Sequence, residues 1–262
     1  MFIIFLICLF ALVYGFIEYS KIDITTLFLN DLVNDKPIPE DIKDKTILFV
    51  SDFQFDLPFG LFNHKAAKKV FSAIESINPD LLILGGDYID GGNYTKDTIF
   101  QYLSNINVNS IAILGNHDYK YNMKDTTIEL VGKNSKVLIN ESYDYLGLNF
   151  YGLDDYVGSP NLKPTFDPNM INIVISHRPD AFYDIKDDFD FMLSGHTHGG
   201  MITLFGLYAP IPHNGYGQKL VSGFVKDESK TIYVSRGVGG NIFGLPIRIF
   251  SKPEVILIKT KK

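Results

Sequence analysis

Five apolar runs in this chain each end in residues able to hold a cation or handle a phosphate. TILFV (46–50) leads to Asp52 and Gln54, LLIL (81–84) to Asp87, SIAIL (110–114) to Asn116-His117-Asp118, NIVI (172–175) to His177, and FDFML (189–193) to His196-Thr197-His198. Singly, an Asp after a strand is usually a turn or a helix cap, and an Asn-His pair is usually surface. Together, that explanation needs five coincidences, whereas open α/β sheets gather their ligand sites at the carboxyl ends of strands. The His196-x-His198 pair is the sharpest signal, because side chains two apart in an extended segment share a side. Its flanking Gly195, Gly199 and Gly200 also let backbone approach an ion. Asp, Asn and His donors suit a hard or borderline divalent cation. Cys8 is the only cysteine, which rules out a thiolate cluster and an internal disulfide.

The elements that must position these residues are short buried strands alternating with helices around 63–77 and 95–105. The first helix carries Ala66, Val70, Phe71, Ile74 and Ile77 at helical spacing. Such alternation predicts an α/β sheet. The C-terminal third (SGFV, TIYVS, EVILIKT) has strands without long helices between them and predicts a second, more antiparallel sheet. With 262 residues, 46% hydrophobic and 21% charged, the chain fits one globular domain with an appendage, here placed at 46–262. Thirty acidic against 24 basic residues, with no block of consecutive Lys or Arg, argue against nucleic acid as a partner.

Residues 1–17 carry no charged side chain and as a helix would span roughly 26 Å, enough for a thin bilayer. No Lys or Arg precedes the run and no small-x-small cleavage site follows it, so 1–19 reads as a transmembrane anchor or an uncleaved signal. Ile7 before Cys8 argues against lipoprotein processing. Lys21 and Lys36 on the C-terminal flank direct the domain to the cytoplasmic side of the inner membrane, as a single-pass protein. Residues 20–45, with Pro37 and Pro39, read as a linker.

The ordered motifs resemble those of the calcineurin-like metallophosphoesterase family: Asp-x-His, Gly-Asp, Gly-Asn-His-Asp/Glu, a lone His, and Gly-His-x-His. The tail YVSRGVG (233–239), Pro246-Ile247-Arg248 and Pro253-Glu254-Val255 is similar to the membrane-associated bacterial branch, so the resemblance covers most of 46–260. It implies a four-layer α/β/β/α metallophosphoesterase sandwich behind the N-terminal transmembrane helix. It also implies two divalent metal ions, with Asp52 and His198 on one, Asn116, His177 and His196 on the other, and Asp87 bridging both. His117 would face the phosphate and protonate the leaving oxygen, with Asp118 orienting it. Gln54 stands where the family has His. A neutral amide oxygen is a weaker donor, so the first metal site is expected to be looser and to favour Mn²⁺, with Mg²⁺, Fe²⁺ and Zn²⁺ as other occupants.

The implied activity is hydrolysis of a phosphodiester or pyrophosphate bond at the membrane surface. The anchor favours a lipid-linked phosphorylated substrate, and similar members cleave UDP-2,3-diacylglucosamine in lipid A synthesis. The competing readings are a broad cell-envelope phosphodiesterase and a non-catalytic phosphate- or lipid-binding module with a degenerate first site. Three residues outside the motifs remain candidates. His64 opens a helix and is expected in solvent. His213 in FGLYAPIPHNGYG (205–217) either lines the site mouth or belongs to an ordinary loop, and Arg236 meets either a phosphate or a structural ion-pair partner.

Overall fold

The computed structural model describes residues 1–33, 36–55, 60–90, 97–155, 164, 166–186, 188–227 and 230–261. In chain order the elements are α1 (Phe2–Tyr19), β1 (Asp23–Phe28), α2 (Leu29–Leu32), β2 (Thr46–Val50), α3 (Gly60–Ile77), β3 (Leu81–Leu84), α4 (Asp97–Ser104) and β4 (Ser110–Ala112). There follow α5 (Lys124–Val131), β5 (Lys136–Val137), β6 (Glu141–Tyr145), β7 (Leu148–Gly152), β8 (Ile171–Ser176), α6 (Ala181–Asp184), β9 (Phe191–Ser194), β10 (Gly223–Asp227), β11 (Lys230–Val234) and β12 (Glu254–Lys259). Two six-stranded sheets result, ordered β1-β12-β2-β3-β4-β5 and β10-β11-β9-β8-β7-β6.

The continuous apolar runs follow from burial on both faces. Ile47 and Phe49 of β2, with Ile83 and Ile111, face Phe150, Ile173, Ile175 and Leu193 of the other sheet. Leu48 and Val50 turn the opposite way, onto Ala67, Val70 and Ile74 of α3 and Leu103 of α4. On the far side, Val174, Met192 and Ile232 pack against Phe182 and Ile185. The layers are therefore helix, sheet, sheet, helix, the last of them formed among the described residues by the single turn α6 and loops. The second sheet is parallel through β7, β8, β9 and β11 and antiparallel only at its edges. It is thus less antiparallel than the C-terminal sequence suggests, because β12 leaves it and inserts between β1 and β2 of the first sheet.

The segment read as a linker is part of the fold, which corrects that expectation. DITTLF (23–28) alternates half-buried and exposed residues and pairs in parallel with β12, from Asp23 opposite Glu254 to Phe28 opposite Lys259. Leu29, Leu32, Val33 and Ile42 then enter the core between the sheets. The Pro37 and Pro39 signal belongs to a short stretch between buried anchors, not to a free tether. Leu32→Ala in the detergent-solubilised full chain is accordingly expected to cost about 2–5 kcal/mol in chemical denaturation. A flexible linker would leave the midpoint unchanged.

Helix α1 is long and apolar enough to cross a membrane, with mean hydropathy 2.4. Its first part is exposed, but its last turns dock on the domain: Gly15, Glu18 and Tyr19 are buried. Arg248 N donates to Gly15 O at 3.1 Å, Ser251 N donates to Glu18 Oε1 at 2.7 Å, and the Tyr14 and Phe250 rings lie 5.4 Å apart. Helix and domain are joined by packing as well as by chain.

Candidate metal centre

Each strand-end motif delivers its side chain to one cleft between the sheets. Asp52 and Gln54 follow β2, Asp87 follows β3, Asn116 and His117 follow β4, His177 follows β8, and His196 and His198 follow β9. Asp52, Gln54, Asp87, His196 and His198 all hold φ between 36° and 73°, a region that residues with a Cβ rarely occupy. Strain of this kind persists only where surrounding structure imposes it, and it clusters at functional sites.

Two glycines make room for the carboxylates. A Cβ on Gly115 would overlap the Asp87 carboxylate, and one on Gly237 (φ 64°) would overlap that of Asp52.

Asp52 is fully buried and accepts from Ser51 Oγ at 2.7 Å and His196 N at 3.0 Å. Asp87 accepts from Gln54 Nε2 (2.9 Å) and His117 N (2.8 Å), and its Oδ2 lies 3.2 Å from His177 Nε2 without hydrogen-bond alignment. Asp87, His177 and His196 each bring one ligand atom within 4.8 Å of the others. His198 Nε2 is 3.6 Å from Asp52 Oδ1. The protein thus brings Asp52, Gln54, Asp87, His177, His196 and His198 together about the two carboxylates, and Asn116 follows Gly115, which packs on Asp87.

The decisive feature is what lacks a partner. Asn116 Oδ1 and His177 Nε2 are buried with no hydrogen bond. His177 Nδ1 faces Gly85 O at 2.9 Å, which makes it a protonated nitrogen and aims Nε2 into the carboxylates. A buried polar atom normally finds a partner; Asn116 Oδ1 finds none, and His177 Nε2 meets the carboxylates of Asp87 and Asp52 without hydrogen-bond alignment. This donor set fits a divalent cation.

The electrostatics show an excess of negative charge, which draws a proton onto His177 where a bound cation would take its place. Burial opposes a charge on His177, yet the carboxylates of Asp87, Asp52 and Asp155 overcome it and lift the imidazole to about 10. Burial would likewise raise Asp87, but His177 and His117 hold it well below the usual carboxylate range. Burial and neighbouring positive charge on His177 push His196 down to about 3, leaving it a neutral imidazole able to donate to a metal.

His117 is placed beside this cluster with its Nδ1 2.9 Å from Asp90 Oδ1, and Asn241 Nδ2 donates to the other Asp90 oxygen at 3.2 Å. Burial lowers the imidazole, but Asp90 and Asp87 raise it further, so it is held above its ordinary value. Lys120 Nζ lies 3.0 Å from both ring nitrogens. Asp90, rather than Asp118, therefore orients His117. Asp118 is turned inward, accepting from Gly115 N and Asp87 N at 2.8 Å and Tyr88 N at 3.0 Å, and it ties together the turns that carry Asp87 and Asn116. Burial and the Asp87 charge raise Asp118 to about 8.

Arg248 is the other residue that its motif alone does not place. Fully buried, it donates to Arg236 O (2.9 Å), to Gly239 O and to His198 O, and its Nη2 lies 3.2 Å from His198 Nδ1. It fixes the backbone that presents His198, and burial lowers it to about 10.

Arg236 resolves to an ion pair, with Nη2 2.7 Å from buried Glu254 and 3.6 Å from Asp23 of β1. His213 is exposed on the 205–217 loop, and a charge on it opposes one on His196. The His64 side chain lies outside the described residues.

The model of the calcineurin-like phosphoesterase family matches residues 45–200. An uncharacterized metallophosphoesterase of Campylobacter jejuni is 29% identical over 250 residues, covering 87% of this chain, and this chain spans only 62% of that protein's length. The uncharacterized Bacillus subtilis metallophosphoesterase YkuE is 30% identical over 215 residues, 76% of this chain and 74% of its own. The Escherichia coli phosphodiesterase YaeI is 28% identical over 239 residues, 81% of each chain.

Proposed function

The chain belongs to the calcineurin-like phosphoesterase family, and from that premise we propose that it is a metal-dependent phosphohydrolase cleaving a phosphodiester or pyrophosphate bond at a membrane surface. The observation that carries the reading is the pair of partnerless buried atoms Asn116 Oδ1 and His177 Nε2, the second of them 3.2 Å from the Asp87 carboxylate. Asn116, His177, His196 and Asp87 would hold one divalent ion, and Asp52, Gln54, His198 and Asp87 a second. When bound, such ions polarise phosphoryl oxygens and make hydroxide available near neutral pH.

The remaining work falls to side chains of this chain. Asp90 holds the Nδ1 edge of His117, so Nε2, which lies 3.0 Å from Lys120 Nζ, is the nitrogen that would carry a proton toward the oxygen of the leaving group. Lys120 brings a cation to the same place, where a phosphate would gather charge. Gln54 contributes only an amide, so the ion held with Asp52 and His198 is the weaker, and Mn²⁺ or Mg²⁺ suits it better than Zn²⁺. Gln54→His is therefore expected to slow metal loss during mild chelation, read by elemental analysis at timed intervals. Equal loss from both proteins would remove the weak-site assignment.

The docking of α1 supports a lipid-linked phosphate ester or pyrophosphate as substrate, and UDP-2,3-diacylglucosamine is the compound to test. Lys21 and Lys36 favour the cytoplasmic side of the inner membrane. In the experiment, the full chain in detergent is stripped by chelation, reloaded with Mn²⁺, Mg²⁺ or Zn²⁺, and given bis-p-nitrophenyl phosphate and the UDP-diacyl sugar. Metal-dependent turnover with release of UMP supports both levels of the reading. Turnover of the simple diester without UMP keeps the class and removes the sugar nucleotide. Failure on both by folded, metal-loaded protein overturns the enzyme in favour of a phosphate-binding module.

A further inference from the structure

We propose that the loop of residues 204–211, together with Phe243 and Phe250, forms a second membrane contact. It would be an uncharged apolar lip that enters the headgroup region of an anionic phospholipid bilayer beside α1 and turns the mouth of the metal centre toward the lipid. The site served by this lip is that of the phosphohydrolase proposed above.

The lip is conspicuous by exposure. Phe205 is 77%, Leu207 87%, Ile211 63% and Phe243 100% accessible, although each is a residue that folding normally hides. Its own segments carry no charge, since residues 204–217 and 237–247 contain no Lys, Arg, Asp or Glu, and the carboxylates of Asp180 and Asp184 meet the loop at Gly215 and Tyr216, beyond the lip. The apolar tips sit on turns closed by internal hydrogen bonds. Leu204 N donates to Tyr208 O, Ala209 and Gln218 exchange two hydrogen bonds at 2.8 and 2.7 Å, and Ile242 and Leu245 bridge across Phe243. Internal pairing is the condition for backbone to enter a medium without water.

Continuity with α1 identifies the occupant. The ring of Phe205 lies 5.4 Å from that of Phe250, which lies 5.4 Å from that of Tyr14, inside the apolar stretch of the helix. Ile17 is the last exposed apolar residue of α1, and Tyr14 sits about 4.5 Å further along the axis. A bilayer that covers Ile17 therefore reaches the level of Phe250 and Phe205, within the ~5–10 Å occupied by interfacial segments. Aromatic rings are the side chains that this zone favours. On the other side of the helix exit, Lys65, Lys68 and Lys69 are exposed on α3, and Lys69 Nζ donates to Ser20 O at 2.6 Å, which places cations where anionic headgroups would lie.

The same loop reaches the chemistry. Its tip carries Phe205 and Leu207, and further on Ala209 packs on Gly200, two residues past His198, so closely that a Cβ would not fit. A lipid with its phosphate at the metal centre would run its chains along the lip and into the bilayer.

The test measures depth and needs no turnover. Full-length protein carrying Cys8→Ser receives Leu207→Cys, Phe243→Cys or, as a reference, Asn105→Cys. Asn105 is exposed where α4 leads toward the start of β4, opposite the site. Each is labelled with an environment-sensitive nitrobenzoxadiazole and reconstituted in phosphatidylglycerol–phosphatidylethanolamine vesicles. At 207 and 243 we expect blue-shifted emission, quenching by acyl-chain nitroxide at least threefold stronger than at 105, and protection from iodide. Iodide quenching equal to that at 105 overturns the proposal. Protection from both quenchers that grows with protein-to-lipid ratio also overturns it, in favour of a second copy on this face. An inactive protein whose lip is still quenched by lipid nitroxide fails only the phosphohydrolase reading.

Discussion

Asp87→Asn is expected to leave a folded protein that no longer retains metal through gel filtration and has no detectable turnover of bis-p-nitrophenyl phosphate. The substitution keeps the shape of the side chain and removes the charge that both clusters of donors share. One Asp87 oxygen faces Gln54 and His177, and the other is held by His117 N. Losing an outer partner of a metal ligand already costs about 10–100-fold in affinity or activity, and a shared ligand must cost more than that. Elemental analysis beside a turnover assay decides the matter. A variant keeping its metal and a tenth of its activity would show that Asp87 is not the common ligand.

The second large effect is expected at His117. His117→Ala should leave metal content unchanged and lower kcat by about 10²–10⁴ on diesters with alkyl leaving groups, the range supplied by a positioned proton donor. On p-nitrophenyl esters, whose leaving group departs without a proton, the loss should be much smaller. Asp90→Asn should give an intermediate loss on the alkyl esters, because it removes the contact that orients the ring and holds its proton. Equal losses on both classes of ester would make His117 a phosphate binder and not an acid.

The site region was legible because α/β sheets put ligand chemistry where apolar runs stop, and Asp52, Asp87, Asn116, His177 and His196 all fall at such stops. The two-layered core was legible for the same reason: runs such as LLIL (81–84) have no polar face to give to water. What escaped depends on pairing between distant parts of the chain. DITTLF (23–28) resembles a polar connector until β12, from the other end of the sequence, supplies its partner. Asp118, next to His117, is the obvious orienting group by proximity. The short helical turn beginning at His117 sends neighbouring side chains in different directions, so Asp118 points into the core and Asp90, three residues beyond Asp87, takes the role. Arg248 lies beyond the stretch matched by the family model and acts through backbone contacts that no motif announces.

The docking of α1 also sets a limit on how this protein can be handled as a soluble reagent. A recombinant form trimmed at Thr46 loses the edge strand and the four side chains that follow it into the core. One trimmed just after Tyr19 keeps them, but it uncovers Ile247, strips Ser251 N of its carboxylate acceptor, and frees Arg248 N, in the segment that steadies His198. Loss of activity on trimming would therefore report a damaged seam beneath a metal ligand, and rescue by adding back the bilayer alone would not follow.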